Sequence, residues 1–394
     1  MDVLKFVKEK NDYLLKTRRY VHQHPELSWK EYKTTDFIEQ ELQKLGLETQ
    51  RFEGHTGVTA TIHGKKAHTG SKTIMLRADI DALPIQDMKT CEFKSKVPGK
   101  MHACGHDAHT TILMGVGKML NEHKDEFSGT VKLLFEPAEE TTGGAPHMIK
   151  EGVLDNPKVD CVLGLHVDEE TECGTIKIKK GVVNAASNPY TIKITGQGGH
   201  GASPHTTVDP VVIASHIVIA LQTIVSREIA PVNPAVITVG TIHAGTAQNV
   251  IPGEATISGM IRTMTKEDRA FAVQRLTEIA EGIASVSRAK AEVTVEESYP
   301  CLYNDDNCVD LLRKSAEKVL GKENVLEQKN PKMGVESFAY FAMERPAAFY
   351  FLGSGNKAKH TDEPAHSNLF NIDEDCLTIG AAIQATAAYN YLVK

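Results

Sequence analysis

Four short apolar runs constrain this chain more than any other feature: TIMLRADI (73–80), TVKLLF (130–135), DCVLGLHV (160–167) and PAAFYFLGSG (346–355). None alternates strictly between apolar and polar residues. A strand of that kind is buried on both faces, so its sheet needs a cover on each side. The intervening segments supply it. Residues 31–45 have an amphipathic helical pattern, a helix is predicted after the CGHDAH stretch through Leu120, and two more span 307–320 and the segment from Asp373. With VTATIHG (58–64) as a further strand, the fold class is α/β, a layered sheet between helices.

The rhythm changes between about 188 and 300. YTIKIT is a strand by alternation, and Asp209 with Pro210 forms an N-cap and first turn for a helix to about Glu228. AVITVGTIHAG and EATISGMIRT are strands, Thr265 with Asp268 opens a helix to about Ser287, and KAEVTVEESYP closes the set. The order β-α-β-β-α-β is the ferredoxin-like split motif. The expected organisation is a catalytic domain in two parts, 1–187 and 301–394, with a ferredoxin-like α+β domain, 188–300, inserted between them.

Composition narrows the function classes. A net charge of −7 disfavours a surface built for nucleic acid or anionic membranes. The N-terminal stretch MDVLKFVKEKNDYLLKTRRY reads as a charged amphipathic helix and not as a secretion signal. The most apolar long stretch, 211–225, is interrupted by Ser215, His216 and Gln222 and reads as too short and too polar to span a bilayer. Seven scattered cysteines form no disulfide framework, so a cytoplasmic setting is expected.

Chemistry concentrates in a few segments. HACGHDAH (102–109) brings a thiol, several imidazoles and a carboxylate together, the donor types a divalent metal needs. EPAEE (136–140) follows a strand directly; one of its carboxylates can ligate metal while its neighbour takes a proton from water. His166 ends an apolar run, and His360 and His366 lie in KHTDEPAHS. A lone histidine at a strand tip is more often a structural hydrogen-bonder, and the C-terminal segment could equally be a surface loop. Asp79 and Asp81 of RADIDALP could orient metal-bound imidazoles or merely cap a turn. GQGGHG (196–201) matches a dinucleotide fingerprint only formally, because its helix is predicted to begin near Asp209. Glycines presenting His200 to a site are the better reading.

Taken in order, RADIDALP, HACGHDAH, EPAEE and GGHGASPH resemble the metallo-aminoacylase and carboxypeptidase-G-type family of peptidases and amidohydrolases. The likeness runs from RRYVHQHPELSWKEYKTT to AHSNLF and points to the branch with hippurate hydrolases, auxin-conjugate hydrolases and N-acetyl-diaminopimelate deacetylases. The resemblance implies a phosphorylase/hydrolase-like metallopeptidase domain whose insertion serves as lid and dimerisation surface. It implies two divalent ions, manganese or zinc first, cobalt or nickel also compatible, held by Cys104, His106, Glu140, His166 and His366, with Cys104 bridging. Glu139 matches the catalytic base, Asp81 the residue that orients a ligand, and His200 a histidine that steadies the oxyanion, reaching the partner subunit's site in dimeric relatives. Asn249 and Arg262 match positions that bind a substrate carboxylate. One departure stands out: Glu336-Ser337-Phe338 replaces the family's usual Glu-Asp-Phe.

The implied activity is metal-dependent hydrolysis of the amide bond in a small N-acyl amino acid, by a homodimer or tetramer with no nucleic-acid or membrane partner. A dipeptidase or carboxypeptidase would use the same ligands. A non-catalytic metal-binding module would not need Glu139.

Overall fold

The computed structural model describes residues 9–66, 72–141 and 143–393; the first eight residues of the predicted N-terminal helix lie outside them. The chain divides into two compact units. The larger comprises 1–183, 303–330 and 337–394, and the smaller comprises 184–302 and 331–336. The short return of 331–336 to the smaller unit goes with backbone bonds such as Ala185 N–H to the Lys332 carbonyl.

The larger unit is built on one mixed sheet. Its strands are β1 (Glu48–Arg51), β2 (Val58–His63), β3 (Thr73–Asp79), β4 (Thr130–Glu136), β5 (Cys161–Glu172), β6 (Ile176–Ile178), β11 (Val325–Glu327) and β12 (Ala347–Gly355). Their spatial order is β1-β2-β4-β3-β5-β12-β6-β11. The central strands β4, β3, β5 and β12 run parallel, as apolar runs buried on both faces require. Every residue of β3 and of β12 is buried. The helices are α1 (Asn11–Gln23), α2 (Tyr32–Lys44), α3 (His106–Glu122), α4 (Ala145–Lys150), α7 (Asp306–Leu320), α8 (Phe338–Glu344) and α9 (Asp375–Leu392). Leu14, Leu42, Ile112, Leu312 and Ile383 from these helices share one apolar core with Leu76, Leu133, Leu163 and Leu352 of the sheet. Each such side chain removed from water contributes about 1.5–3 kcal/mol.

In the smaller unit a four-stranded antiparallel sheet holds β7 (Ala186–Thr195), β8 (Ala235–Ala244), β9 (Glu254–Thr263) and β10 (Lys290–Val295) in the order β8-β9-β7-β10. Helices α5 (Pro210–Thr223) and α6 (Lys266–Val286) complete the β-α-β-β-α-β sequence. Tyr190, Ile192 and Ile194 face the helices, while Thr191, Lys193 and Thr195 between them are exposed. Ala272, Leu276, Ala280 and Ala284, four residues apart on α6, form its buried stripe. Both predicted caps form: Asp209 accepts from the Val211 amide and Thr265 from the Asp268 amide.

One expectation is corrected here. A π-helical turn, Ile224–Glu228, prolongs α5 to 19 residues, long and apolar enough in length and composition to cross a membrane. Its Ile213, Ile217, Leu221 and Ile224 are nonetheless core residues of the smaller unit.

Candidate metal centre

The chemical residues of the larger unit gather where parallel strands end and loops begin. HACGHDAH turns sharply because Gly105 has φ 93°, a left-handed conformation natural to glycine. A Cβ there would also come within 2.3 Å of Val167 Cγ2. The tight turn brings Cys104 and His106 round to the same place. EPAEE leaves β4 through Ala138, another left-handed residue at φ 58° and fully buried. That conformation is held from outside: the Ala138 amide donates to Glu31 Oε1 at 2.9 Å, and Thr56 donates to the other Glu31 oxygen at 2.6 Å.

The five residues expected as ligands come together. Cys104 Sγ lies 3.3 Å from His166 Nε2, and Glu140 Oε1 lies 3.4 Å from His366 Nε2 and 3.8 Å from His106 Nε2. Within 4.8 Å of one another lie the ligand atoms of Cys104, His106 and His166, and likewise those of Cys104, Glu140 and His366. Cys104 belongs to both triads. His106 Nδ1 is taken by Asp81, through its carbonyl at 3.0 Å and Oδ1 at 3.1 Å. Among the described residues neither His106 Nε2 nor Glu140 Oε1 has a hydrogen-bond partner, although both are buried and Glu140 Oε1 lies within ion-pair distance of His366. Orphaned buried polar atoms are costly, and a cation between them would satisfy both. The donor set therefore fits divalent metal on its own chemistry.

Electrostatics agree with a cation. Burial, with Glu140 alongside, pushes the Cys104 thiol well above its ordinary range. A bound cation reverses that balance and favours the thiolate. Burial raises Glu140, but His366 and His106 outweigh it and bring the carboxyl down to about 2. Burial opposes charge on His106 too, yet Asp79 and the neighbouring groups hold it well above the usual imidazole value.

Asp81 does more than meet His106. Its Oδ2 accepts from Ser28 at 2.7 Å and from the Glu140 amide at 3.0 Å, so one carboxylate ties an imidazole to the acidic turn. Glu139 is buried, and its Oε1 accepts from the Ser337 amide at 3.1 Å. The Ser337 hydroxyl receives Arg77 at 2.7 Å and donates to Glu136 Oε1 at 2.8 Å. The serine, where the resemblance leads one to expect an aspartate, therefore sits inside a buried network and passes a hydrogen bond between a guanidinium and a carboxylate. Motif reading missed Glu31, Arg77, Glu136 and Ser28 as supports. The bonds that make them supports span long stretches of chain, Glu31 to Ala138, Ser28 to Asp81 and Arg77 to Ser337, and only the unusual Ser337 carried a signal.

The remaining expectations fall as follows. His360 is exposed on its own turn, whereas His366, at φ 65°, is anchored by its amide to the Ala103 carbonyl at 2.7 Å. Asp79 lies under the cluster and pairs with Arg77 and His109. In the smaller unit, His200 sits on a two-residue strand paired with Val250 and Ile251, next to Asn249, whose carbonyl accepts from the Gly201 amide. The glycine-rich stretch opens no helix there; α5 begins at Pro210. Arg262 lies on β9; its Nε meets Met260 Sδ, and among the described residues its buried Nη1 has no hydrogen-bond partner.

Residues 75–390 match the model of peptidase family M20/M25/M40. The chain belongs to this family. It is accordingly a hydrolase acting on amide bonds. It is 39% identical to thermostable carboxypeptidase 2 of Saccharolobus solfataricus, with 98% of each chain covered. It is 38% identical to IAA-amino acid hydrolase ILR1-like 4 of Arabidopsis thaliana, over 97% of this chain and 86% of that one. Among solved structures, Bacillus subtilis YXEP protein, a dinuclear metal binding peptidase of the M20 family, superposes with a TM-score of 0.84 at 33% identity. That likeness covers 98% of this chain and 99% of the other. This M20-family chain thus shares both fold and sequence with peptidases and amidohydrolases over nearly its whole length.

Proposed function

We propose that this M20-family enzyme hydrolyses the amide bond of small N-acyl amino acids with two divalent ions, manganese or zinc first, cobalt or nickel also compatible. One observation carries the reading: buried Glu139 adjoins two ligand triads that share Cys104. The likeness to an IAA-amino acid hydrolase supports an acylated amino acid as substrate. Cys104, His106, Glu140, His166 and His366 would hold the ions. When bound, such ions acidify water and polarise a carbonyl.

The chain's own groups do the rest. Glu139 takes the proton of the attacking water and returns it to the leaving amine. The Ser337 amide fixes the direction of that carboxylate. Asp81 holds His106 with Nε2 free. From the smaller unit we assign His200 to the developing oxyanion and Asn249 with Arg262 to the substrate carboxylate. An arginine with a partnerless buried Nη1 suits that duty, since guanidinium pairs well with carboxylate. The reading includes a homodimer formed through the smaller unit, to which exposed Val212 (52%) and Ile219 (70%) of α5 lend apolar surface. It also includes a reducing, cytoplasmic setting, consistent with seven free cysteines.

A second reading, a dipeptidase or carboxypeptidase, draws support from the carboxypeptidase relative. Amine release from N-acetyl amino acids, hippurate and dipeptides, with manganese or zinc and with a chelator control, separates the two. Chelator-sensitive turnover of the N-acyl compounds is expected. Faster dipeptide cleavage would overturn the first reading in favour of the second, and chelator-insensitive turnover would overturn both.

A further inference from the structure

His109 is fully buried beside the candidate centre, and its ring lies 4.6 Å from that of His166, centre to centre. By proximity alone it could be a sixth ligand, since Asp79, His106 and His109 present ligand atoms within 4.8 Å of one another. Its hydrogen bonds say otherwise. The Val167 amide donates to His109 Nε2 at 2.9 Å. A nitrogen that accepts from an N–H carries no proton, so the ring proton sits on Nδ1. That nitrogen lies 2.5 Å from Asp79 Oδ1 and donates to it. Asp79 is itself fixed, its Oδ2 receiving Arg77 Nη1 at 2.8 Å. Both His109 nitrogens are engaged, leaving no lone pair for a metal.

What His109 holds is the edge of β5 beside His166 that faces β3; on the other edge the ladder to β12 continues through His166 and Val167. The ladder between β3 and β5 stops at Arg77 and Gly164. Beyond that point the amide next to His166 is bonded to the His109 ring. On the other ring, His166 Nδ1 meets the Val167 carbonyl at 2.6 Å, which leaves Nε2 toward Cys104. The peptide unit of Val167 therefore orients His166, and His109 holds the Val167 amide on the edge that the ladder to β12 leaves free.

We infer that His109 is a positioning residue whose Nδ1–H tautomer, set by Asp79, holds the Val167 amide and aims His166 at the candidate metal centre. The inference rests on the two-ion reading above. Two variants separate the halves of the role. His109→Gln is long enough to offer a carbonyl to the Val167 amide. His109→Asn is shorter and can only keep a donor toward Asp79. A bland structural histidine predicts equal effects, because each variant loses one buried hydrogen bond.

The experiment is manganese titration of the metal-stripped full chain by calorimetry, with thermal unfolding of the metal-free forms as the fold control. The expected result is a loss of about 10–100-fold in affinity for one ion in His109→Asn, with His109→Gln near wild type. Equal losses, or a larger loss in His109→Gln, would overturn the inference. Should either variant fail to fold, long-range proton–nitrogen correlation spectra of the metal-free wild type decide alone. A neutral His109 ring protonated at Nδ1 supports the role, and a proton on Nε2 overturns it. Wild-type protein that binds no manganese would instead sink the two-ion reading, while leaving the tautomer measurable.

Discussion

The two units solve the burial problem differently. The larger one covers both faces of its sheet, and several ionisable side chains buried there pair with one another: Arg77 with Asp79 and Glu136, and His109 with Asp79. The smaller one covers a single face, so along β7 the residues alternate between core and solvent. Its assigned residues behave accordingly: His200 is exposed on a short strand pair, and among the described residues Arg262 has no acidic partner. The difference teaches where rigidity resides. A doubly covered sheet can hold several ionisable groups in fixed directions, as a metal centre demands, because each is locked by a buried neighbour. A sheet open on one face presents side chains to something that arrives later. Variants in the larger unit should therefore change chemistry and metal binding, and those in the smaller unit should change turnover or substrate affinity with metal binding intact.

Glu139→Ala should show the largest effect, a fall in kcat of about 10²–10⁴-fold with manganese stoichiometry unchanged. Wild-type turnover in that variant would remove the general base from the larger unit. His200→Ala should lower kcat by about 10²–10³-fold, the usual cost of one oxyanion donor, while calorimetry finds metal affinity unaltered. Loss of metal in His200→Ala would break the division of labour between the units. For Arg262→Ala the expected change is a rise in KM of about 10–100-fold for N-acetyl amino acids, since a hydrogen bond to a charged group is worth about 1.5–3 kcal/mol. The same variant should discriminate little among analogues lacking the carboxylate, and an equal penalty on those would refute its assignment.

The smallest effect concerns stability. Burial, with Asp81 nearby, pushes Glu31 from 4.5 to about 7 despite its bond from Thr56. A carboxyl raised in the folded state binds more protons there than in the unfolded chain, so stability falls as pH rises through that window and levels off above it. Glu31→Gln should match wild type in thermal midpoint at about pH 5 and exceed it at about pH 8. A midpoint difference independent of pH would show that Glu31 is no such buried acid.

Much of this architecture was legible beforehand, for identifiable reasons. Periodicity is a local property, so the four apolar runs and the capped starts at Asp209 and Thr265 appear where the residues place them, while the helix expected after CGHDAH opens earlier, at His106 inside that stretch. Helix α8 and the short strands β6 and β11 escaped, being too brief to show a period. The candidate ligands were legible as residue types in a recognisable order. Their supports were not. Glu31 lies 107 residues from Ala138, and Ser337 lies 198 from Glu139, and no pattern within a window relates such pairs.

By itself, then, the sequence determined the elements, the split β-α-β-β-α-β segment, the family, and which side chains have the chemistry to bind metal and move a proton. Tertiary structure alone decided which lone pairs remain free. His106 keeps Nε2 because Asp81 takes Nδ1, and His109 keeps neither nitrogen because Asp79 and Val167 take both. A histidine's role depends on what each nitrogen meets, and those neighbours arrive only when distant strands close on one another.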